Sequence, residues 1–147
     1  MLSSVYKEAV VPYTQQQMFS LVNEVAMYPE FVPACDSTEI HSQDEEHIEA
    51  TLTFVGAGMH KSFTTRNELE PMHTMIIHLV DGPFKTLHGI WHFEMVEENQ
   101  CKVSLNLEFE ISGQMLSMVF GPIFHQIANK LVDAFVRRAH EVYGAND

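Results

Sequence analysis

The chain has 147 residues, of which 46% are hydrophobic and 19% are charged. That length suits one domain with one sizeable core, so we expect residues 1–147 to form a single domain, and the charged fraction is too low for a disordered chain. Twenty acidic residues against eight Lys and Arg give a formal charge of -12, which repels nucleic-acid phosphates and excludes electrostatically driven DNA binding.

The cysteines and the N-terminal residues predict the cellular compartment. Cys35 and Cys101 are far apart and form no C-x-x-C pair, which favours reduced thiols. The N-terminal residues do not show a basic region followed by an apolar run. No segment approaches the ~20 apolar residues that a membrane span requires. We expect a cytoplasmic protein.

The N-terminal pattern predicts a strand followed by a helix. Residues 3–11 are rich in β-branched side chains, and Pro12 ends the strand. Thr14 and Gln17 have the spacing of a capping box, and apolar residues then recur at helical spacing. Residues 28–33, YPEFVP, contain two prolines and three large apolar side chains, which predicts an apolar loop that needs cover or a ligand.

From residue 48 to Ile111 the hydrophobic period is two, which predicts antiparallel strands with one wet face. The turn-rich residues 81–85 suit a hairpin in which His78 lies opposite His88. That register places six apolar residues on one face: Met75, Ile77, Leu79, Leu87, Trp91 and Phe93.

After Gly113 the period becomes helical again. Gly121-Pro122 predicts a break between a short helix and a longer one that ends near Tyr143. Leu131 and Phe135 lie on the apolar stripe of the longer helix and are candidate ligand contacts. Lys130, Arg137 and Arg138 form a basic group there, for which favourable interaction with the helix dipole is the plainest role.

The sequence contains no recognisable catalytic or metal motif. His88 and His92 are ~13 Å apart along one strand, too far to share a zinc ion, and no nucleophile elbow or H-E-x-x-H helix is present. Arg66, Asn67 and Glu68 resemble the solvated face of a strand. We therefore expect no enzyme activity, no catalytic residue and no metal.

Five ordered sequence blocks carry a family resemblance. They are YPEFVP (28–33), KSFTTRN (61–67), LVDGPFK (79–85), GIWHF (89–93) and AF (134–135). Together they resemble the coenzyme Q-binding START-like proteins of the polyketide cyclase and lipid transport superfamily, in particular the bacterial branch. The resemblance spans essentially the whole chain.

The resemblance implies an α+β helix-grip (START-like) fold, a curved antiparallel sheet of about seven strands wrapped around a long C-terminal helix. It also implies a hydrophobic tunnel that binds a polyprenyl quinone (ubiquinone) or a similar lipid in support of respiratory electron transport. No cofactor other than this bound ligand is expected. The matching positions make Tyr28, Phe31, Val32, Pro33, Phe63 and Trp91 the expected ligand contacts, with the head group near residues 28–33.

Two other functions follow from the same resemblance. Some bacterial members are described as toxins that block the joining of ribosomal subunits, so a ribosomal subunit is an alternative partner, which the net charge disfavours. Older descriptions treat the family as oligoketide cyclases, which would need a polar group inside the tunnel. Transient contact with a membrane or with respiratory complexes is a further expectation.

Overall fold

The computed structural model describes residues 2–144. Within that range there are seven strands and three helical segments, of which two follow the first strand and one follows the last strand. The strands are β1 (Ser3–Val11), β2 (Cys35–Gln43), β3 (His47–Gly56), β4 (Met59–Glu70), β5 (Thr74–Asp81), β6 (Phe84–Glu97) and β7 (Gln100–Ile111). The helices are α1 (Gln15–Asn23), a 3-10 helix (Val25–Glu30) and α2 (Gln114–Tyr143).

The strands form one antiparallel sheet in the order β1-β7-β6-β5-β4-β3-β2. Consecutive strands from β2 to β7 pair as hairpins, and β1 pairs with β7 at the edge. His78 lies opposite His88, as the sequence predicts. The seven-stranded sheet and the long C-terminal helix confirm the predicted helix-grip architecture.

Two glycines occupy turns that other residues would strain. Ala57 and Gly58 have φ angles of 51° and 75°, the geometry of a two-residue hairpin turn between β3 and β4. Gly82 has a φ of 151°, and a Cβ there would lie 2.5 Å from Cβ of Phe63. The β5–β6 turn therefore packs directly against a residue of the candidate site.

Helix α1 begins as the sequence predicts. The Thr14 side chain accepts a hydrogen bond from the backbone N–H of Gln17, whose side chain accepts one from the backbone N–H of Thr14. Residues 28–33 differ from the predicted loop, because their first half belongs to the 3-10 helix and contains Pro29.

The predicted break at Gly121-Pro122 is wrong, because α2 runs through both residues without interruption. Pro122 removes one backbone hydrogen bond, but its side chain and that of Met118, four residues earlier, are both exposed. Water can therefore satisfy the carbonyl that the missing N–H leaves free. The buried residues Phe120 and Phe124 keep the helix on the sheet on both sides of the proline.

Phe124 of α2 anchors the helix in an aromatic cluster. Its ring centroid lies 4.8 Å from that of Phe109, 5.1 Å from that of Phe84 and 5.8 Å from that of Phe63. All four rings are buried. Edge-to-face contacts of this kind add to the stabilisation from apolar burial. These contacts fix α2 on the concave face of the sheet at Phe124.

Candidate functional site

A cavity of about 80 Å³ lies between the concave face of the sheet and α2. Its walls come from strands β3 to β7, from the 3-10 helix and from the middle of α2. Most of the lining side chains are aliphatic or aromatic. In the described part of the chain, no charged side chain lines it.

Aromatic rings form two opposite walls of the cavity. On one side, the ring of Phe135 lies 5.2 Å from that of Trp91 and 5.4 Å from that of Tyr28. On the other side, Phe63 stacks on Phe54 at 5.6 Å and contacts Phe124. The space between these walls suits an apolar guest.

Three lining residues are only half buried, namely Leu52, Ile77 and Leu131. The other lining residues are buried, so these three mark the side on which the cavity reaches the surface. We call them the mouth residues. They belong to β3, β5 and α2, so the mouth opens between the sheet and the helix.

The cavity is smaller than a ring-sized ligand needs. A cavity of about 150 Å³ is known to admit benzene, and the space here is about 80 Å³. A ring-sized ligand therefore requires the lining side chains to move. The half-buried mouth residues have the fewest packing contacts to lose in such a movement.

Two polar residues of β4 interrupt the apolar lining. Thr65 is 5% exposed and Asn67 is 7% exposed. The Asn67 Nδ2 donates to Sδ of Met75 at 3.6 Å, and its Oδ1 has no hydrogen-bond partner. A buried carbonyl oxygen without a partner is uncommon in native proteins.

The prediction that Arg66, Asn67 and Glu68 share a solvated face is wrong for Asn67, because successive residues of a strand point to opposite faces. Arg66 lies on the outer face, where its Nη1 is 3.6 Å from Oε1 of Glu49. Glu68 lies there too, and its Oε1 is 2.6 Å from Nε2 of His78. Asn67 points inward between them.

Tyr28 contributes its ring rather than a free hydroxyl. The hydroxyl donates to the backbone carbonyl of Val22. Burial, with a smaller contribution from Cys35, raises the pKa of Tyr28 well above its usual value. The phenol therefore stays neutral, and its proton is already engaged within the protein.

The structure brings six of the eight predicted contact residues together. Lining the cavity are Tyr28, Val32, Phe63, Trp91, Leu131 and Phe135. Phe31 and Pro33 do not line it. Phe31 lies behind the wall, with its ring 5.1 Å from that of Phe135 and 6.1 Å from that of Tyr28.

Thr65 and Asn67 are the polar residues among the lining positions that the sequence analysis did not assign to the site. A signal for them was present, because Phe63 was predicted to face inward. A strand has a period of two, so Thr65 and Asn67 must share the face of Phe63.

The histidines of the sheet lie away from the cavity. The rings of His78 and His88 are 5.7 Å apart on the outer face. Within residues 2–144, no group of three His, Cys, Asp or Glu side chains could hold a metal ion. Over the same range, no helix combines the length and the hydrophobicity needed to cross a bilayer.

Comparison with known proteins identifies relatives over nearly the full length. The chain is 46% identical over 143 residues to the ribosome association toxin RatA of Vibrio cholerae, covering 97% of this chain and 99% of that protein. It is 38% identical to RatA of Escherichia coli, covering 98% and 91%. It is 26% identical to the mitochondrial coenzyme Q-binding protein COQ10 of Drosophila melanogaster, covering 94% and 59%.

Solved structures share the fold. A protein from Thermus thermophilus superposes with a TM-score of 0.80 at 16% identity, covering 99% of this chain and 100% of that chain. The Zhui aromatase/cyclase from a Streptomyces species gives 0.76 at 16% identity, covering 99% and 98%. The family model for polyketide cyclase/dehydrase and lipid transport proteins matches residues 11–136. The chain therefore belongs to the polyketide cyclase/dehydrase and lipid transport family, within which it resembles the RatA and COQ10 proteins, as the sequence blocks predict.

Proposed function

We propose that the protein binds a polyprenyl quinone or a similar lipid between the sheet and α2, without catalysing a reaction on it. The observation that carries this proposal is the apolar cavity with aromatic walls and a half-buried mouth. The similarity to a protein named for coenzyme Q binding supports the choice of a quinone. Such a protein would work in the cytoplasm and contact a membrane or a respiratory complex transiently to exchange its ligand.

Burial of the tail would supply most of the affinity. Each Å² of apolar surface removed from water contributes about 25 cal/mol, so a few hundred Å² of isoprenoid tail would contribute several kcal/mol before the costs of association. Opening the mouth would reduce that gain. The six predicted residues that line the cavity are the proposed contacts, while Phe31 and Pro33 would support the wall from behind.

The lining favours binding over catalysis. Tyr28 is the one lining residue with a titratable side chain within residues 2–144, and its hydroxyl is bonded to Val22. General acid–base chemistry needs a group that can exchange a proton near neutral pH. Arg66, which would favour a cyclase if it faced the cavity, lies on the outer face. The likeness to an aromatase/cyclase rests on 16% identity and concerns the fold alone.

The test is native mass spectrometry with organic extraction of protein purified from a respiring host. We expect an isoprenoid quinone in the extract, at a near-stoichiometric ratio to the protein. An unrelated protein of similar size, purified in parallel, controls for carry-over of membrane lipid. Quinone at the level of that control would refute the proposal.

A second candidate function is interference with the joining of ribosomal subunits. The observation in its favour is the 46% identity to a protein named ribosome association toxin. Lys130 and Arg137 are exposed on α2 and could contact RNA, whereas Arg138 is held by Glu30. The net charge of -12 opposes such docking except at a local patch.

Sucrose-gradient sedimentation of ribosomes at physiological salt tests this second function. If it holds, excess protein shifts ribosomes toward free subunits, and a Lys130→Glu, Arg137→Glu double variant does so less. Unchanged subunit association at stoichiometric excess would eliminate it. Leu131→Phe is the matched control, because it alters the cavity and leaves the basic residues in place.

A further inference from the structure

We propose that the side-chain amide of Asn67 binds the polar head group of the ligand, so that the head lies under β4 and the tail follows the apolar remainder of the cavity. This inference rests on the lipid-binding function proposed above. It places the head at β4, an interior strand of the sheet, and not at residues 28–33.

The unsatisfied oxygen of Asn67 carries the argument. Asn67 is 7% exposed as a residue, lines the cavity and leaves its Oδ1 without a partner. Its amide nitrogen reaches only the sulfur of Met75, which is a weak acceptor. An apolar residue of similar size at this position would leave no polar atom unsatisfied and would not lower the stability of the fold. The Asn67 amide does lower it until a ligand binds to the amide.

The register places Asn67 where a ligand can reach it. Asn67 pairs with Ile48 of β3 on one side and with Ile77 of β5 on the other. Ile77 is a mouth residue, so Asn67 lies one strand away from the opening. Thr65, two residues earlier on the same face, offers a hydroxyl beside it. The segment 28–33 has no such group, because the Tyr28 hydroxyl is bonded to Val22.

The chemistry of the lining restricts the head group to a neutral one. The Oδ1 that lacks a partner is an acceptor, so the head group must donate a hydrogen bond to it, and a hydroxyl group can do so. With no charged side chain lining the cavity within residues 2–144, a carboxylate or phosphate would be buried without a counter-ion. The ligand class is therefore a lipid whose neutral head carries a hydroxyl group, such as the quinol form of a polyprenyl quinone, and not a fatty acid or a phospholipid.

The test compares two ligands that differ only in the head group. Ubiquinol-2 carries hydroxyl groups that can donate to Oδ1, and geranylbenzene has the same tail length on a ring without oxygen. We expect Asn67→Leu to weaken ubiquinol-2 binding about tenfold, the effect of one buried hydrogen bond, and to leave geranylbenzene binding unchanged or tighter. Ile48→Leu is the matched control, because Ile48 faces Asn67 across the strand pair and does not line the cavity.

A measurement on the unaltered protein makes the test independent of how the variant folds. Under reducing conditions, the unaltered protein should bind ubiquinol-2 about tenfold more tightly than its dimethyl ether, because the ether keeps the tail and the oxygens but has no hydrogen to donate to Oδ1. If the two compounds bind equally, or if Asn67→Leu weakens ubiquinol-2 and geranylbenzene equally, the head does not bind Asn67, although the cavity still binds lipid. If neither ubiquinol-2 nor geranylbenzene binds the unaltered protein, the lipid-binding function itself is refuted.

Discussion

Arg138 packs over the ring of Phe31, with its guanidinium carbon 5.0 Å from the ring centroid. Its Nη2 also donates to Oε1 of Glu30 at 3.2 Å. One side chain of α2 thus holds the end of the 3-10 helix and the residue that follows it. Because Tyr28 and Val32 of the same segment line the cavity, Arg138 stabilises one cavity wall from outside.

Replacing Arg138 should loosen that wall. We expect Arg138→Gln to lower the free energy of unfolding by about 1 kcal/mol, since a partly exposed cation–π contact and a surface ion pair each contribute up to about that much. Release of bound quinone should become faster. Urea unfolding and the rate of ligand release measure the two effects. Arg137→Gln, at an exposed neighbouring position, should change neither, and equal effects of the two variants would contradict the role of Arg138.

Enlarging a mouth residue should block the cavity without disturbing the core. Leu131 is half buried and lines the cavity, so the extra volume in Leu131→Phe can enter empty space. We expect less quinone to be recovered with the purified variant and the melting temperature to stay nearly constant. Extraction and thermal unfolding on the same preparation provide both values.

Val132 supplies the matched control for this experiment. It is 1% exposed and does not line the cavity. Val132→Leu should overpack the core and cost about 1–3 kcal/mol, without a specific loss of quinone. Equal quinone recovery from Leu131→Phe and the unaltered protein, with a clear loss of stability, would mean that Leu131 belongs to a solid core.

The apo protein should become more stable when the buried amide is removed. Asn67→Leu eliminates an unsatisfied oxygen and adds apolar contacts, so we expect the free energy of unfolding to rise by about 1–2 kcal/mol. Urea unfolding of ligand-free protein measures the change. A decrease would show that the bond to Met75 matters more than the unsatisfied oxygen.

Stability should fall in alkaline solution because of two buried thiols. Burial raises the pKa of both Cys35 and Cys101 from 9.0 to about 11. The unfolded chain therefore loses these protons at lower pH than the folded chain does. The contribution of the two thiols to stability is complete below pH 9 and is lost between about 9 and about 11. Urea unfolding against pH, under reducing conditions, should show a shallower decline for a Cys35→Ala, Cys101→Ala variant.

The strand pairing could be predicted closely, because side chains alternate between the two faces of a strand and the apolar ones must face the core. Once a turn was assigned to residues 81–85, the pairing of His78 with His88 followed, and with it the inward face that holds Met75 and Trp91. Pairing one residue out of step would have turned every apolar side chain toward water. The local turn signal and the requirement to bury apolar side chains thus indicated the same strand register.

The errors arose where tertiary packing overrides a local signal. Gly121-Pro122 is a strong breaker in isolation, but the buried Phe120 and Phe124 hold the helix on the sheet on either side of it. Asn67 was assigned to solvent by its polarity, although its position relative to Phe63 placed it inside. The size of the cavity was not predictable, because it depends on how many rings pack together and not on their order in the chain.

The uncapped start of α2 implies a gradient of amide exchange along the helix. Gly113 at the N-cap has a φ of 88° and provides no side-chain cap, and Pro122 removes a further hydrogen bond. Met115 and Met118 are 82% and 71% exposed, so little tertiary packing holds these first turns. Residues 114–119, which precede the buried Phe120, should exchange with deuterium by local fraying, while the amides around Val132 and Phe135 exchange only on global unfolding. A bound lipid would then slow exchange in the second region and leave the first unchanged.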